Sequence, residues 1–444
     1  MNLEKILETK NILSVQEILS DMNIVDIAEE LEDLDEDDAI DAVKIFRMLP
    51  KDKAADVFAY LSSDMQEKIV NDITDREISG IIEDLFLDDA VDFIEEMPAN
   101  VVIRVLENVT PGKRELINQL LKYPEDSAGS IMTVEYVSLK EDWLVKDAFK
   151  HIRETGLDKE TIYTCYVTDY QKHLLGFVTA RALMLADPEE SIKSILHTAT
   201  VFAKTTEDKE NLSNDFRKYG ILAMPVVDNE NRLVGIVTID DAIVVQEEEA
   251  TEDFEIMAAI SPTDEPYLKM GVFELTKKRV VWLLLLMLSA TVTGSIISRF
   301  EDALAVLPAL VIFIPMLMDT GGNAGSQSAT LIIRGMALDE IEISDIWAVV
   351  WKEARVAILC GITLFVVNFA RLLITGQSVT MALTVSISLI CTVILAKSVG
   401  CMLPMLAKKF GMDPAVMASP VITTVVDAGS LLIYFGLAKM ILNI

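Results

Sequence analysis

The chain has 444 residues and a formal net charge of −32, and this charge is unevenly distributed. Residues 277–444 hold 10 acidic and 12 basic residues, so residues 1–276 hold the other 60 acids and 26 bases, a net charge of −34. So acidic a half argues against nucleic acid as a partner, because phosphates would be repelled, and it favours cations or a basic partner. A second interpretation is that the charge only keeps this half soluble.

The N-terminal part of the chain has the pattern of a helical domain. The opening residues, MNLEKILETKNILS, lack the apolar run of a signal peptide, so we expect this half to stay in the cytoplasm. From about residue 20 onward, apolar residues recur at helical spacing between turn signals such as Leu49-Pro50 and Met97-Pro98. This predicts an all-α acidic N-domain over residues 1–128, with weakly repeated helix pairs typical of a superhelical solenoid.

Residues 129–250 contain an internal repeat of strand, acidic turn, strand and helix. YVTDYQKHLLGFVTARAL, from Tyr166, aligns with PVVDNENRLVGIVTIDDA, from Pro225, at a constant offset of 59 residues. The repeat resembles a tandem pair of CBS domains, an α/β module that commonly binds adenine nucleotides. We therefore predict a first CBS domain over residues 129–195 and a second over residues 196–250.

The resemblance to CBS domains implies a nucleotide signature, a Thr followed three residues later by an Asp. Thr238 and Asp241 supply it in the second domain, whereas Thr179 in the first is followed by Ala182. At most one ATP site per chain is therefore expected. A CBS pair with a purely structural role is the alternative.

The remaining chain has the pattern of a membrane domain behind a connector. Residues 251–279 are predicted to form a connecting amphipathic helix that is rich in acids and interrupted by prolines. Residues 280–444 then predict a transmembrane pore domain with five helices, since five apolar segments reach or approach the ~20 residues needed to cross a bilayer. The segments are residues 280–297, 303–333, 346–374, 379–407 and 414–442.

The distribution of basic residues predicts the orientation of these segments. With the N-terminus in the cytoplasm, eight lysines and arginines fall at the inner ends of the segments and three at the outer ends. Cytoplasmic ends of membrane helices carry this excess of positive charge. An odd number of spans then places the C-terminus outside the cell.

Two of the apolar segments carry rows of oxygen-bearing side chains. Ser419, Thr423 and Asp427 recur every four residues in the fifth segment, so they share one helix face. The second segment repeats this spacing with Asp319, Asn323 and Gln327. Acids inside a membrane segment mark ion or proton paths more often than not. The alternative for Asp427 is a carboxyl group hydrogen-bonded inside the helix bundle.

The domain order and three motifs together resemble the MgtE family of magnesium channels over nearly the whole chain. The motifs are MTVEY at 132–136, GGNAGSQSAT at 321–330 and ASPVITTVVD at 418–427. The resemblance implies a homodimer in the lipid of the cell membrane that takes up Mg2+ through a pore on its two-fold axis. It also implies that Asp427 is the selectivity residue, with Ser419 and Thr423 as its neighbours in the pore. Asn323, from the row on the second segment, is a further candidate pore ligand.

The resemblance further implies that intracellular Mg2+ gates the channel and so controls magnesium homeostasis. Two halves of charge −34 would repel each other in a dimer, and cations that bridge carboxylates would let them pack. ATP at the CBS pair is a candidate modulator. The expected Mg2+ ligands of this cytosolic sensor are Asp88, Asp92, Asp241, Glu249, Glu252 and Asp253.

Other functions remain as alternatives at this point. A CBS-gated anion channel would need basic residues along its pore, and the one deep cation is Lys397. A CBS-regulated channel for another divalent cation, such as Co2+, fits the same oxygen donors, whereas a non-conducting nucleotide-sensing membrane protein would not need them. An enzyme is not expected, because the three histidines are scattered and no nucleophile-base or metal-ligand spacing occurs.

Overall fold

The computed structural model describes residues 12–34, 39–198, 200–263, 267–268 and 270–442. The chain divides into two compact units, Met1–Gln246 and Glu247–Ile444. Each unit has hydrophobic cores of its own.

The predicted all-α N-terminal domain is confirmed. From Ile24–Glu32 onward, each helix packs mainly on the helix two positions along the chain, the arrangement of stacked helix pairs in a solenoid. Apolar residues at helical spacing face the shared core; Asp75–Asp84, for example, buries Ile78, Ile81 and Ile82. Among the described residues the helices are α1 (Ile12–Asp21), α2 (Ile24–Glu32), α3 (Ala39–Phe46), α4 (Lys51–Ala59), α5 (Ser63–Asp72), α6 (Asp75–Asp84), α7 (Leu87–Glu96), α8 (Ala99–Asn108) and α9 (Pro111–Leu120).

Two three-stranded sheets follow, and they confirm the tandem CBS pair. In each sheet the middle strand pairs in parallel with the first strand and antiparallel with the third. Thr164 lies opposite Thr179 in one sheet and Ala223 opposite Thr238 in the other, so the 59-residue offset is also the offset in strand register. The strands are β1 (Tyr136–Lys140), β2 (Thr161–Thr168), β3 (Leu174–Thr179), β4 (Ala203–Lys204), β5 (Ala223–Val227) and β6 (Leu233–Thr238).

Helices that lie between the strands in the chain cover these sheets. Val145 and Ala148, from the helix after β1, join the core of the first sheet, and Leu212 and Phe216, from the helix before β5, join the larger core of the first unit. The helices are α10 (Val145–Thr155), α11 (Ala180–Leu185), α12 (Ile192–Ile195) and α13 (Lys209–Tyr219).

The predicted connecting helix at residues 251–279 is not one continuous helix. The helix that follows β6, α14, runs from Ile239 to Met257, across the expected domain boundary at residue 250. Residues 258–263 are irregular and include Pro262, which cannot donate a backbone hydrogen bond. This stretch returns onto the next helix, since the Lys278 ammonium donates to the carbonyl oxygen of Pro262 across 2.9 Å.

The second unit contains five long helices among its described residues. Four segments are long and apolar enough to cross a membrane: Val272–Arg299, Ile343–Ile374, Val379–Lys409 and Ala415–Leu442. The helices, with one short helix after the first, are α15 (Val272–Arg299), α16 (Glu301–Val306), α17 (Ile314–Ala337), α18 (Ile346–Ile374), α19 (Val379–Lys409) and α20 (Ser419–Leu442).

The remaining long helix, α17, is not among these four segments, so the count of five spans stays a prediction. Its 24 residues extend roughly 36 Å, enough for a hydrocarbon core of about 30 Å. Its lower apolarity comes from glycines and polar residues, and it packs against α19 and α20. A helix that packs on two neighbours does not need an apolar surface on every side, because these neighbours shield part of it from lipid.

Candidate ion path and metal-sensing site

The helix α17 has one polar exposed face and one buried face of small residues. Asp319, Asn323 and Gln327 are exposed on the first face, while Gly321 and Gly325 are buried on the second. Polar side chains at membrane depth require water, an ion or a protein partner, because hydrocarbon offers none. The exposed row of oxygens is therefore a candidate wall of an ion path.

The helix α20 lies directly beside this row. A β-carbon built on Gly322 of α17 would lie 3.1 Å from Cγ2 of Thr423, so Thr423 contacts the residue next to Asn323. Asp427, one turn further along α20, is half-buried, as Thr423 is. Asp427, Thr423 and Asn323 thus lie on two helices in contact. Ser419 is the first residue of α20, and its side chain lies outside the described set.

The hydroxyl of Thr423 is oriented by its own helix. Thr423 Oγ1 donates to the carbonyl oxygen of Pro420 across 3.0 Å. A hydroxyl that has given its proton to a carbonyl keeps its lone pairs for a cation or for water in the cation's hydration shell. Thr423 therefore presents an acceptor on this surface, as Asp427 does.

The close approach of α17 and α20 depends on glycine. A β-carbon on Gly321 would lie 2.8 Å from Val426 Cγ1, and one on Gly325 would lie 2.6 Å from Ile422 Cγ2. Small residues permit this packing of helices in a membrane. The two oxygen-bearing helices are therefore held together by backbone shape rather than by the polar groups themselves.

The first unit contains a cluster of buried and half-buried carboxylates, the acid cluster. One carboxylate oxygen from each of Asp88, Glu135 and Glu160 lies within 4.8 Å of the other two. Asp88, in the first turn of α7, is only 7% exposed. Glu135 accepts hydrogen bonds from the Leu87 backbone amide at 3.0 Å and from the Thr133 hydroxyl at 3.2 Å. Carboxylate oxygens that lie this close together can share one divalent cation, since Mg2+ and Ca2+ prefer oxygen ligands.

Burial and the charges of neighbouring acids make Asp88 and Glu160 hard to ionise. Burial raises the pKa of Asp88 well above its usual range, and the charges of Asp89, Asp241 and Glu160 raise it further. Burial followed by the charges of Asp89 and Asp241 raises the pKa of Glu160 to about 8. Among the described residues no Lys or Arg forms an ion pair with Asp88, Glu135 or Glu160. Lys113 lies close enough for the charges of Glu135 and Asp88 to act on its ammonium group, and a bound divalent cation would add further positive charge.

The two acids predicted on the helical domain lie in the same electrostatic environment as Asp241. Asp92 is exposed, yet desolvation of its carboxyl group, followed by the charges of Asp89 and Asp241, raises its pKa to about 7. Burial also raises the pKa of Asp241 itself. The structure therefore brings Asp88, Asp92 and Asp241 together, although Asp88 and Asp92 are far from Asp241 in sequence.

The remaining predicted sensor acids are on the second unit. Glu249, Glu252 and Asp253 lie on α14 at spacings of three and one residues, which place them on one side of that helix. Two members of the acid cluster, Glu135 and Glu160, were not predicted from the sequence. Glu135 stands in the MTVEY motif, which was a usable signal, whereas Glu160 precedes β2 with no recognisable pattern around it.

The two residues of the predicted nucleotide signature form a hydrogen bond with each other. The hydroxyl of Thr238 donates to Asp241 Oδ2 across 2.7 Å. A cavity of about 280 Å3 lies between the two CBS domains, and its lining residues do not include Thr238 or Asp241. A phosphate near Asp241 would meet the acid cluster, so a nucleotide site at Thr238 and Asp241 stays a prediction.

An acidic helical domain, a CBS pair and a bundle of long apolar helices define a multidomain membrane protein with a regulatory module. The chain belongs to the MgtE family of divalent cation transporters. Residues 314–437 match the divalent cation transporter domain of the family, residues 13–126 match its intracellular N domain, and residues 128–189 and 192–248 match CBS domains.

Two magnesium transporters are similar to this chain over most of its length. The magnesium transporter MgtE of Thermus thermophilus is 36% identical over 90% of this chain and 89% of its own length. The magnesium transporter MgtE of Bacillus subtilis is 32% identical over 92% of this chain and 93% of its own. A crystal structure of the cytosolic domain of the Mg2+ channel MgtE in complex with ATP is 31% identical, with a TM-score of 0.52, and covers 55% of this chain and 98% of its own.

Proposed function

We propose that this protein takes up Mg2+ along the surface formed by α17 and α20. The contact of Thr423 with Gly322 carries the proposal, because it joins the two oxygen-bearing rows into one surface. Mg2+ loses its water reluctantly and is usually held by one or two carboxylates and several waters. Asp427 would supply the charge, and Ser419, Thr423 and Asn323 would accept hydrogen bonds from the hydrated ion.

A homodimer would enclose this surface. In the single chain Asn323 is exposed and Asp427 is half-buried, so the path has a wall on one side only. A second copy related by a two-fold axis would supply the other wall and a second Asp427. The protein would lie in the cell membrane with its N-terminus in the cytoplasm and its C-terminus outside.

Intracellular Mg2+ would close the path by binding the cytosolic acids. Support comes from the crowding of Asp88, Glu135, Glu160 and Asp241, whose repulsion a divalent cation would relieve. Asp92 and the α14 acids Glu249, Glu252 and Asp253 would bind further ions. ATP, at the CBS site that includes Thr238 and Asp241, would modulate this response.

Flux of Mg2+ into liposomes tests the proposal. The purified full-length protein should load Mg2+ into liposomes, and Asp427→Ala should lower the rate more than tenfold while the protein stays folded and dimeric. Glu340→Gln, at an exposed acid just after α17, is the matched control and should keep the wild-type rate. Normal flux in a well-expressed Asp427→Ala variant would reject the assigned path.

A further inference from the structure

Three helices of the second unit meet at a buried group of charged and polar side chains. Lys397 of α19 and Glu353 of α18 are 6% and 9% exposed, and Ser328 of α17 is fully buried. The Lys397 ammonium donates to Ser328 Oγ at 3.2 Å, and Ser328 donates to Glu353 Oε2 at 2.6 Å. Lys397 Nζ also lies 3.7 Å from Glu353 Oε2. We call Lys397, Ser328 and Glu353 the buried triad.

Stability alone is a weak explanation for the buried triad. Taking two charges out of water costs free energy that their attraction only partly returns, and apolar residues of similar volume often serve the fold as well. Ionisable groups inside membrane domains usually have a functional role. Such a pair constrains the geometry of the helices, because its hydrogen bonds form only at one relative rotation of the helices that carry it.

The position of the buried triad connects it to the candidate ion path. Ser328 lies three residues after Gly325, and a β-carbon on Gly325 would lie 3.2 Å from the carbonyl oxygen of Ala396, the neighbour of Lys397. The buried triad therefore sits at the crossing of α17 and α19. The same helix α17 carries Asn323 on its exposed face and Gly322 against Thr423. A small rotation of α17 at this crossing would turn Asn323 away from Thr423.

We propose that the buried triad is a positioning element for ion conduction. Its hydrogen bonds lock the rotation of α17, and this rotation keeps Asn323 on the surface that Thr423 and Asp427 share. The inference rests on the proposed Mg2+ path and adds residues that do not touch the ion. It requires that the triad govern how fast ions pass rather than how tightly they bind.

Single neutralisations give the first test, in the full-length protein in liposomes. Lys397→Met and Glu353→Gln should each lower the saturating Mg2+ flux about tenfold, and the Mg2+ concentration for half-maximal flux should stay within twofold of wild type. Lys397→Arg keeps the charge and should retain at least half of the flux. Lys439→Met, at an exposed lysine near the end of α20, is the matched control and should conduct normally.

A double neutralisation separates positioning from stability. Glu353→Gln combined with Lys397→Met removes both buried charges, so it should recover the thermal unfolding temperature lost in the single variants while the flux stays low. Recovery of flux in parallel with unfolding temperature would show that the pair only stabilises the fold, and would overturn the proposal. Wild-type flux in both single variants would overturn it as well.

If the double variant does not fold, Ser328→Ala tests whether the buried triad positions α17. This change removes the bridging hydroxyl and leaves the charge pair in place. Reduced flux at an unchanged unfolding temperature supports positioning, and wild-type flux rejects it. Absence of Mg2+ flux in the wild-type protein would instead reject the proposed function, so the two failures are distinguishable.

Discussion

Gly400 of α19 lies directly against the backbone of Gly325 in α17, where any β-carbon at position 400 would overlap the carbonyl oxygen of Gly325. The obstacle is backbone rather than a flexible side chain, so it cannot move aside cheaply. We expect Gly400→Ala to destabilise the protein by about 1–3 kcal/mol, the usual cost of overpacking. Thermal unfolding in detergent measures this.

Gly294→Ala is the control for that experiment. A β-carbon at Gly294, on α15, would meet nothing within 4 Å. Alanine there should leave the unfolding temperature unchanged or raise it slightly, since it is the better helix former. If Gly400→Ala and Gly294→Ala lowered the unfolding temperature equally, α17 and α19 would not be in backbone contact.

Thr423 should contribute less to conduction than Asp427. A neutral hydroxyl in contact with a hydrated ion contributes about 1 kcal/mol, which corresponds to roughly a fivefold change in rate, whereas a charged acceptor contributes about twice as much. Thr423→Ala should therefore reduce the Mg2+ flux by a few fold, and Asp427→Asn more than tenfold. Comparable losses in these two variants, with unchanged folding, would contradict the ranking.

Glu160 of the acid cluster and the neighbouring Asp89 predict how stability depends on pH. The pKa of Asp89 is raised to about 6, and that of Glu160 to about 8, in both cases mainly by burial. The folded protein thus binds more protons than the unfolded chain between about pH 4 and pH 8, so stability falls as pH rises through this window. The unfolding temperature of the Mg2+-free protein should decrease accordingly.

Mg2+ should counteract this loss, because it competes with protons for the same carboxylates. The Mg2+-induced rise in unfolding temperature should be larger at pH 8 than at pH 5, and Glu160→Gln should flatten both dependences. An equal Mg2+ effect at the two pH values, or wild-type behaviour of Glu160→Gln, would indicate that the cation binds elsewhere.

Asp241 should affect both nucleotide and cation responses. Calorimetry should find at most one ATP per chain, and Asp241→Asn should weaken ATP binding and reduce the Mg2+-induced rise in unfolding temperature. Asp240→Asn, at the exposed neighbouring acid, is the matched control and should have a smaller effect on both. Two equivalent ATP sites per chain would rule out the single signature at Thr238 and Asp241.

The acids of α14 should confer Mg2+-specific protection from proteolysis. Millimolar Mg2+ should slow cleavage around residues 247–263 of the full-length protein, and K+ at equal ionic strength should protect less, since screening cannot bridge two carboxylates. The triple change Glu249→Gln, Glu252→Gln and Asp253→Asn should remove this difference. A full Mg2+ response in the triple variant would place the sensor elsewhere.

Local patterns determined the class of each domain in advance. Apolar residues at helical spacing predicted the N-terminal helices, and the 59-residue repeat predicted two sheets whose strand registers differ by 59 residues. The spacing of Asp319, Asn323 and Gln327 placed them on one face of α17. Such features depend on residues close together in the chain, so the sequence alone contains them.

Tertiary structure alone decided which distant residues meet. Asp88, Glu135 and Glu160 come from three separate segments, and only folding brings their carboxylates within 4.8 Å. Lys397 appeared in the sequence as an isolated deep cation, and its partners Ser328 and Glu353 emerged only when three helices packed. The return of residues 258–263 onto Lys278 is of the same kind, although the prolines of this segment had already indicated an interruption of the connecting helix. Contacts of this type depend on the rotation and crossing of whole helices, which no local spacing encodes.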